Sequence, residues 1–581
     1  MAKFLRINMT DRTAKFEEAP EKYRLMAGRG LTSNLTADEV PADAHPLGPN
    51  NKVIFSPGFV TGTNAPTSAR ISVGGKSPLT GGIKEANAGT RWGQTVARMG
   101  IKAIIVEGQP AEKDKFWGVH LTKDGATFFP ADEYVGKGLY EVYPQVLGRF
   151  GKLSDAMAIG VSGEYRMTNA GVCFNDQEGR AARYAGRGGL GAVLGSKGLK
   201  FIVVDATGVS PTVPIANKAL FDQGRKKLTA ALQTHDITKP KGGLNTYGTA
   251  VLINIMNEAG GLPTKNFSSG RFEGAPKISG EAFFEGNKKR LGKELYNHAC
   301  SPGCIIQCSN VWHDKNGNEA VSCQEYESIF SFGSNCGIDS LDVTGELIRL
   351  CNDYGLDTIE AGCTIAVAME GGLAKWGDGK AAIKLMHEIG KGTPLGRILG
   401  NGTAFTARAL GVTRVPVVKG QAMPAYEPRV VKGIGVTYAT TTMGADHTAG
   451  YTIAPEILGV SGKQDPFATK KGELSKAFQS TTAFIDSSGH CLFIAFAILD
   501  IASGFEGMVE EAAGVAGTNW TADDIVKMGA DIVKVERAFN KAAGFTSADD
   551  RMPEFMKMEP LPPHNVVWDV SDAELDSVHA S

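Results

Sequence analysis

Three cysteines crowd into the segment Cys300-Ser-Pro-Gly-Cys304-Ile-Ile-Gln-Cys308. The Pro-Gly pair between the first two predicts a turn, so the thiols converge instead of pointing around a helix. Convergent thiolates bind soft metals, and iron–sulfur clusters commonly take three cysteines from one loop and a fourth from elsewhere. Cys491, in Asp486-Ser-Ser-Gly-His-Cys491, is the candidate fourth ligand. The pattern therefore predicts a fold that encloses one iron–sulfur cluster.

Two other interpretations of the cysteines stay open at this point. A structural zinc site is one, although zinc fingers usually space two close pairs and this chain has one triplet. Plain buried thiols are the other, and we favour that interpretation for Cys173, Cys351 and Cys363, which lie in apolar settings typical of strands or helices. Cys323 and Cys336 are less clear. A radical-SAM triplet would space its last two cysteines one residue closer.

Composition narrows the class of protein. At 581 residues the chain is long enough for several domains and a buried cofactor. Lys plus Arg (61) nearly balances Asp plus Glu (62), which argues against a nucleic-acid or anionic-membrane binder. We find no apolar run suited to a signal peptide or a membrane span, so we expect a cytoplasmic protein whose nine cysteines are thiols and not disulfides.

The secondary structure that the sequence predicts changes near residue 208, from strands to helices. Before it, short β-rich runs alternate with Gly, Pro and Asn turns, as in residues 52–55, 103–106 and 200–204. After it, apolar residues recur at helical spacing, which predicts helices over residues 217–235, 340–353, 359–376, 380–391 and 522–543. The polar, proline-marked tail from Pro560 to Ser581 reads as a loosely docked extension.

Glycine is the compositional outlier, with 73 residues against a typical share of about 7%. The glycine-rich runs 72–82 and 85–89 could present backbone amides to phosphate or to a heterocycle, although ordinary turns explain them equally well. Residues 185–196 superficially resemble a dinucleotide fingerprint. The residues after this run provide neither a full helix nor the later acidic residue, so we set a Rossmann domain aside.

Together these segments resemble the tungsten-containing aldehyde:ferredoxin oxidoreductases. The resemblance covers nearly the whole chain and keeps the order of the motifs, which makes it far more specific than any one of them. The motifs are Lys76-Ser-Pro-Leu-Thr-Gly81, Ala86-Asn-Ala-Gly89, Gly186-Arg-Gly-Gly-Leu-Gly-Ala-Val-Leu-Gly-Ser-Lys197, the cysteine triplet, Glu325-Tyr-Glu327, Asn352-Asp-Tyr-Gly-Leu-Asp-Thr-Ile359 and Asp486-Ser-Ser-Gly-His-Cys491.

The resemblance implies an α+β fold: a β-rich N-terminal base domain that binds two pterins (residues 1–208), followed by two mainly α-helical domains. These would be residues 209–414, with the cysteine triplet, and 415–581, with the fourth cysteine. It implies a tungsten (or molybdenum) bis-pterin, magnesium bridging the pterin phosphates and one [4Fe-4S] cluster. The reaction would oxidise aldehydes to carboxylic acids, with electrons passing to a ferredoxin or an iron–sulfur partner subunit, and we expect an oligomer.

Carried over residue by residue, the resemblance assigns cofactor contacts to the motifs. Asn352, Asp357 and Asp486 would anchor the pterins, since their side-chain oxygens can accept from the N–H groups of a pterin edge. The family usually has Asp where this chain has Asn352. Arg70 would lie between pterin and cluster, while Asn87 and Arg187 would approach the phosphates and magnesium. For the two arginines, an ordinary place in surface loops is the alternative.

Glu327 and His447 resemble the carboxylate and imidazole that face the metal in the family. Oxidising an aldehyde needs a proton acceptor for the attacking water and a donor that polarises the carbonyl. Glu325 is the rival for the first role, because either glutamate of Glu-Tyr-Glu could face inward; the spacing to the Asn352 turn favours Glu327.

Two other functions remain open from the sequence. A relative that reduces an aromatic-ring thioester, of the benzoyl-CoA reductase type, would share the fold and the cofactor. A noncatalytic iron–sulfur electron-transfer subunit would keep the cluster alone. The sequence does not choose between tungsten and molybdenum, because no side chain is expected to ligate the metal.

Overall fold

Two six-stranded sheets form the N-terminal part of the computed structural model, which describes residues 2–580. The first sheet contains β1 (Lys3–Asn8), β2 (Thr13–Glu18), β3 (Val53–Pro57), β4 (Arg70–Lys76), β5 (Ile83–Gly89) and β6 (Ile101–Glu107). The second contains β7 (Trp117–Thr122), β8 (Gly125–Pro130), β9 (Ser154–Ala158), β10 (Val172–Asn175), β11 (Ala181–Ala185) and β12 (Leu199–Asp205).

The strand orders are β2-β1-β6-β3-β4-β5 and β11-β10-β9-β12-β7-β8. Both sheets are mixed, since β1 pairs with β6 and β12 with β7 in parallel. A fully buried Trp92 lies between them and packs its ring against Phe55 and Phe174 at centroid distances of 5.6 and 5.4 Å. Its indole N–H donates to the Ile202 carbonyl at 3.0 Å, so the one polar atom of the ring is satisfied.

Helices dominate from residue 218 onward. The base itself carries α1 (Gly28–Glu39), α2 (Arg91–Arg98), α3 (Leu139–Phe150), α4 (Val161–Glu164) and α5 (Leu190–Ser196). Next along the chain come α6 (Lys218–Thr234), α7 (Gly243–Tyr247), α8 (Leu252–Glu258), α9 (Gly280–Leu291), α10 (Tyr326–Phe332), α11 (Leu341–Tyr354), α12 (Thr358–Glu370), α13 (Gly379–Lys391), α14 (Pro394–Gly400) and α15 (Thr403–Leu410).

The remaining helices are α16 (Lys432–Thr440), α17 (Ile453–Glu456), α18 (Gly472–Ser488), α19 (Ala495–Asp500), α20 (Ala502–Ala516), α21 (Ala522–Ala542), α22 (Glu554–Met558) and α23 (Asp572–Ser577). Two short hairpins pair β13 (Val311–His313) with β14 (Glu319–Ser322) and β15 (Val417–Val418) with β16 (Gln421–Ala422). Within residues 2–580, no helix is both long enough and apolar enough to cross a bilayer.

This arrangement confirms the predicted α+β class, with a sheet-rich base followed by a helical body. The apolar side chains of the helical body form one continuous core that runs from Leu228 to Val578. The division of that body at residues 414 and 415 stays a prediction.

Two sequence-based expectations were wrong in detail. The helix expected over residues 359–376 ends at Glu370, because Gly372 adopts a positive φ of 85° that breaks the helical backbone. The tail expected to be loosely docked is packed: Leu561, Trp568, Val570, Leu575 and Val578 are all at most 4% exposed. The tail is polar in composition, and its apolar residues are spaced too widely to form a recognisable helix or strand pattern.

We expect Trp568→Ala to destabilise the protein by about 3–5 kcal/mol, because it removes a buried indole and leaves a cavity. Trp568 is 2% exposed and lies directly against Gly435 of α16. Thermal unfolding should show a Tm lower by several degrees. Val526→Ala is the control, since Val526 is 42% exposed; equal melting temperatures for the two variants would contradict a docked tail.

Candidate functional site

A cavity of ≈ 330 Å³ lies between the β4–β5 hairpin and the helical body. Its wall brings together segments that are hundreds of residues apart in the sequence. Eight of the residues singled out from the sequence line it: Arg70, Asn87, Arg187, Asn352, Asp357, His447, Asp486 and Cys491.

Residues 486–491, at the end of α18, form the seam between the helical body and the base. Backbone hydrogen bonds of 2.9–3.1 Å join this segment to residues 59–70: Phe59 N–H to Ser487 O, Val60 N–H to Ser488 O, Arg70 N–H to Gly489 O and Cys491 N–H to Thr67 O. Gly58 lies so close that a Cβ there would sit 2.2 Å from the Gly489 nitrogen. The backbone contact fixes the positions of Asp486 and Cys491 together.

The cysteine triplet lies beyond α9 in an irregular loop, where Gly303 has a positive φ of 83°. Thr67 connects this loop to Cys491: its N–H donates to the Gly303 carbonyl at 2.9 Å, its hydroxyl accepts from Ile305 N–H at 3.2 Å, and its carbonyl holds the Cys491 N–H. A residue of the base therefore brings both cysteine-bearing segments to one place.

The thiols at this place have a strongly perturbed environment. The hydrogen bond from Cys304 holds the pKa of Cys300 well below its ordinary value, while burial raises the pKa of Cys308. All four cysteines are free. Among the residues that the structure describes, the one set of His, Cys, Asp or Glu ligand atoms within 4.8 Å of one another is Asp176, Glu178 and His298, so no three of the cysteine sulfurs lie that close together.

A chain of hydrogen bonds leads from the cysteines into the cavity. The Arg70 guanidinium donates to the Cys491 sulfur at 3.1 Å and to the Asn87 side-chain oxygen at 3.3 Å. The Asn87 amide in turn donates to Asp486 at 3.1 Å. Four residues predicted separately from the sequence thus form one network.

Asn352 and Asp357 lie on the opposite wall, where α11 ends and α12 begins. Asp357 caps α12 by accepting from Ile359 N–H at 2.9 Å and also accepts from Arg187 at 3.0 Å. The other N–H groups of the Arg187 guanidinium donate to the carbonyls of Ala445 and Ala422, at 2.8 and 2.7 Å. Its guanidinium therefore holds protein groups together, and phosphate binding by it stays a prediction.

Glu327 and His447 meet beside the cavity. The His447 Nε2 lies 3.3 Å from Glu327 Oε1, and the other carboxylate oxygen accepts from Ala425 N–H at 2.9 Å. Neither Glu327 Oε1 nor His447 Nδ1 has a hydrogen-bond partner, although both atoms are buried. Both atoms are therefore free to accept another partner or donate to one.

Burial moves the two groups toward their neutral forms. It raises the pKa of Glu327 to about 8 and lowers the pKa of His447 to about 4. Glu325 also lines the cavity, but its carboxylate accepts from the Thr249 hydroxyl at 2.7 Å instead of contacting His447. Of the two glutamates in Glu-Tyr-Glu, it is Glu327 that contacts the imidazole.

Sequence reasoning missed a second group of buried charges around the cavity. Arg29, on α1, donates twice to Glu536 at 2.8–2.9 Å and once to Asp486 at 3.2 Å. Lys84 pairs with Asp446 at 2.9 Å. Asp446 could have been noticed next to His447, whereas nothing in the sequence links Arg29 to a partner 507 residues away.

The Arg29 charge favours the ionised forms of two buried carboxyl groups, Glu85 and Asp486, but does not offset their burial. Burial raises the pKa of Glu85 to about 8 and that of Asp486 to about 6, with the Arg29 charge opposing both shifts. Glu85 Oε1 has no hydrogen-bond partner. The cavity thus contains a carboxyl group that holds its proton at neutral pH.

Comparison with known proteins identifies the family to which the chain belongs. The family model described as "Aldehyde ferredoxin oxidoreductase, N-terminal domain" matches residues 4–206, and "Aldehyde ferredoxin oxidoreductase, domains 2 & 3" matches residues 223–577. The chain belongs to the aldehyde ferredoxin oxidoreductase family. It is 35% identical to the tungsten-containing aldehyde ferredoxin oxidoreductase of Pyrococcus furiosus and 36% identical to that of Thermococcus kodakarensis, in each case over 96% of this chain and 92% of the relative.

Two other proteins are similar at lower identity. The aliphatic sulfonate oxidoreductase, WOR-like subunit, of Pyrococcus furiosus is 25% identical over 96% of this chain and 90% of its own. Among solved structures, the active site complex BamBC of benzoyl coenzyme A reductase with 1,5-dienoyl-CoA superposes with a TM-score of 0.80 at 18% identity, covering 99% of this chain and 93% of that one. At that identity the likeness concerns the fold alone.

We expect Arg29→Met to lower stability by about 3–5 kcal/mol, because it leaves buried carboxylates without their cation. The loss should be smaller at pH 5 than at pH 8: a carboxyl group whose folded pKa is raised keeps its proton when folded, so its cost to stability grows as pH rises. Thermal unfolding at both pH values measures this.

Arg24→Met is the matched control. Its ion pair with Glu21 is exposed, with 58% and 83% of the two side chains accessible, so we expect at most a small change. If Arg29→Met melted like Arg24→Met at pH 8, the buried bridge would not matter to stability.

Proposed function

We propose that this chain oxidises aldehydes to carboxylic acids, using a tungsten or molybdenum bis-pterin in the cavity and one [4Fe-4S] cluster on Cys300, Cys304, Cys308 and Cys491. The observation that carries the proposal is that His447, which contacts Glu327, and Cys491, the candidate fourth ligand of the cluster, line the same cavity. A molecule bound in this cavity would therefore lie within reach of a group that can transfer protons and of a candidate ligand of the cluster that transfers electrons.

The donor set fits a cluster better than a single zinc ion. Zinc with Zn–S bonds of about 2.3 Å needs its sulfurs roughly 3.8 Å apart, whereas no three of these sulfurs lie within 4.8 Å of one another among the described residues. Cluster sulfurs are held further apart because several metal atoms separate them. Arg70 supplies a positive charge that would balance part of the negative charge of cluster and thiolates.

The cavity also fits a pterin that carries phosphate. Asn352, Asp357 and Asp486 offer acceptors on two opposite walls, and Glu85 adds a buried oxygen without a partner. Asn87, on β5, and Arg187 would approach the phosphates and their magnesium, and Arg70 would lie between pterin and cluster. When bound, the metal–pterin would accept two electrons from the aldehyde, and the cluster would pass them on singly.

The residues of this chain would handle the protons. Oε2 of Glu327 is already occupied by the Ala425 amide, so its partnerless Oε1 is the atom that takes a proton from the attacking water. His447 stays neutral because burial lowers its pKa to about 4, and with its hydrogen on the partnerless Nδ1 it can donate to the aldehyde oxygen. The aromatic rings of Tyr426 and Tyr451 flank the imidazole at 5.7 and 6.1 Å and fix its plane.

Electrons would leave to a ferredoxin, which the names of the relatives mention, or to an iron–sulfur partner subunit. One cluster in this chain requires an external acceptor. We further propose a cytoplasmic, oligomeric enzyme. Assays with an aldehyde and with an aromatic thioester separate this proposal from a thioester reductase of the same fold.

We expect Glu327→Gln to reduce kcat/KM for aldehydes by about 10²–10⁴-fold, the usual contribution of a general base. In the wild type, kcat/KM should rise as pH increases through about 8, because Glu327 must lose its proton before it can accept another. The variant should lose this rise. Aldehyde-dependent reduction of a viologen dye, followed over a pH range that brackets this pKa, measures both effects.

Glu325→Gln is the matched comparison, because it changes the other glutamate of the same motif. If that variant lost the pH dependence and Glu327→Gln kept it, the assignment would be reversed.

Metal and pterin analysis tests the cofactors. The purified protein should contain tungsten or molybdenum, pterin and about four iron atoms per chain. Cys491→Ser should lose iron and the visible absorption of the cluster, while Cys363→Ser, which changes a buried thiol outside the four, should keep both. Iron without tungsten, molybdenum or pterin would leave only an electron-transfer subunit.

A further inference from the structure

A second cavity, almost entirely apolar, adjoins the reaction site. It measures ≈ 170 Å³ and is enclosed by α18, residues 492–499 and α20. No charged side chain lines it among the residues that the structure describes. We call it the apolar chamber; its wall includes Tyr451, Phe478, Leu492, Phe493, Ala495 and Phe496.

The apolar chamber shares part of its wall with the reaction site. Leu492 and Phe493 line both cavities. Tyr451 forms the inner end of the chamber, and its ring lies 6.1 Å from the ring of His447 and 6.1 Å from that of Phe496. A molecule whose reactive carbon lies beside His447 would direct its remaining atoms past Tyr451 into the chamber.

The other end of the chamber reaches the surface. Ala477 is exposed there, and Phe478 and Leu499 are half-buried. The chamber can therefore be entered from solvent without opening the base, and part of a longer substrate could extend out of it.

We propose that the apolar chamber binds the hydrocarbon part of the aldehyde and selects substrates with an aryl-bearing or unbranched alkyl group of about five to seven carbons. This inference rests on the proposed function. A dry apolar cavity of about 150 Å³ accommodates benzene, and the chamber is slightly larger than that. Each buried methylene contributes about fourfold to binding, whereas a charged group would lose its hydration and find no partner.

The proposal predicts a substrate series for the holoenzyme. From acetaldehyde to hexanal, kcat/KM should rise on the order of 100-fold, because four methylenes enter the chamber, not all completely. Phenylacetaldehyde should rank with hexanal, and glyoxylate should fall below acetaldehyde. Toluene, which fills the chamber but carries no aldehyde, should compete with hexanal.

Two variants test whether the residues that line the apolar chamber determine the preference for chain length. Ala495→Phe fills the chamber and should lower the hexanal-to-acetaldehyde ratio of kcat/KM at least tenfold while acetaldehyde changes little. Phe478→Ala widens the outer end and should move the optimum to longer chains, which keeps the test informative if Ala495→Phe does not fold. Ala502→Phe is the control, because Ala502 is exposed and lies outside the chamber.

Activity with acetaldehyde distinguishes a failure of the proposed function from a failure of the apolar-chamber proposal. If the wild-type holoenzyme oxidises no aldehyde, the proposed function fails. If it oxidises acetaldehyde but shows no gain with chain length, no competition by toluene and the same ratio in Ala495→Phe as in Ala502→Phe, the apolar chamber is not the substrate site.

Discussion

The contact between residues 486–491 and the edge of the base is the constraint on which the site depends. Two glycine-bearing segments, one at Gly58 and one at Gly489, approach so closely that no side chain fits between them. Backbone hydrogen bonds then fix the register. Because a cavity residue (Asp486) and a cysteine (Cys491) lie five positions apart on this segment, one rigid contact sets the positions of both relative to the sheet.

Charge is the second organising factor. The cavity buries cationic side chains that would be costly if unpaired, and three of them have a carboxylate partner: Arg29 with Glu536, Lys84 with Asp446 and Arg187 with Asp357. Arg70 instead donates to Cys491 and Asn87. The carboxyl groups left without a full partner, Glu85 and Glu327, are those whose pKa rises most clearly. The same burial that stabilises the fold therefore leaves protonated acids where chemistry on a carbonyl compound can use them.

The sequence predicts the fold class and five of the longer helices, because their signals are local, but it did not predict α18 or α20. Asn217 and Ser340 cap α6 and α11 as expected of such residues, and the apolar periodicity of α21 runs nearly its whole length. The packed tail and the end of α12 escaped prediction, since a few apolar residues and a glycine conformation decide them. Arg29 could not be found either, because its role exists only once its distant partners are in place.

The seam has a consequence for how the protein is made. The sheets of the base are complete once residue 205 has been synthesised, yet the wall bearing Asp486 and Cys491 comes from the last fifth of the chain. About half of the chain, residues 206–485, is synthesised between the last strand of the base and this wall. The cavity is complete only once the backbone contact between residues 486–491 and the base has formed, so one of the last segments to be made is the one that closes it.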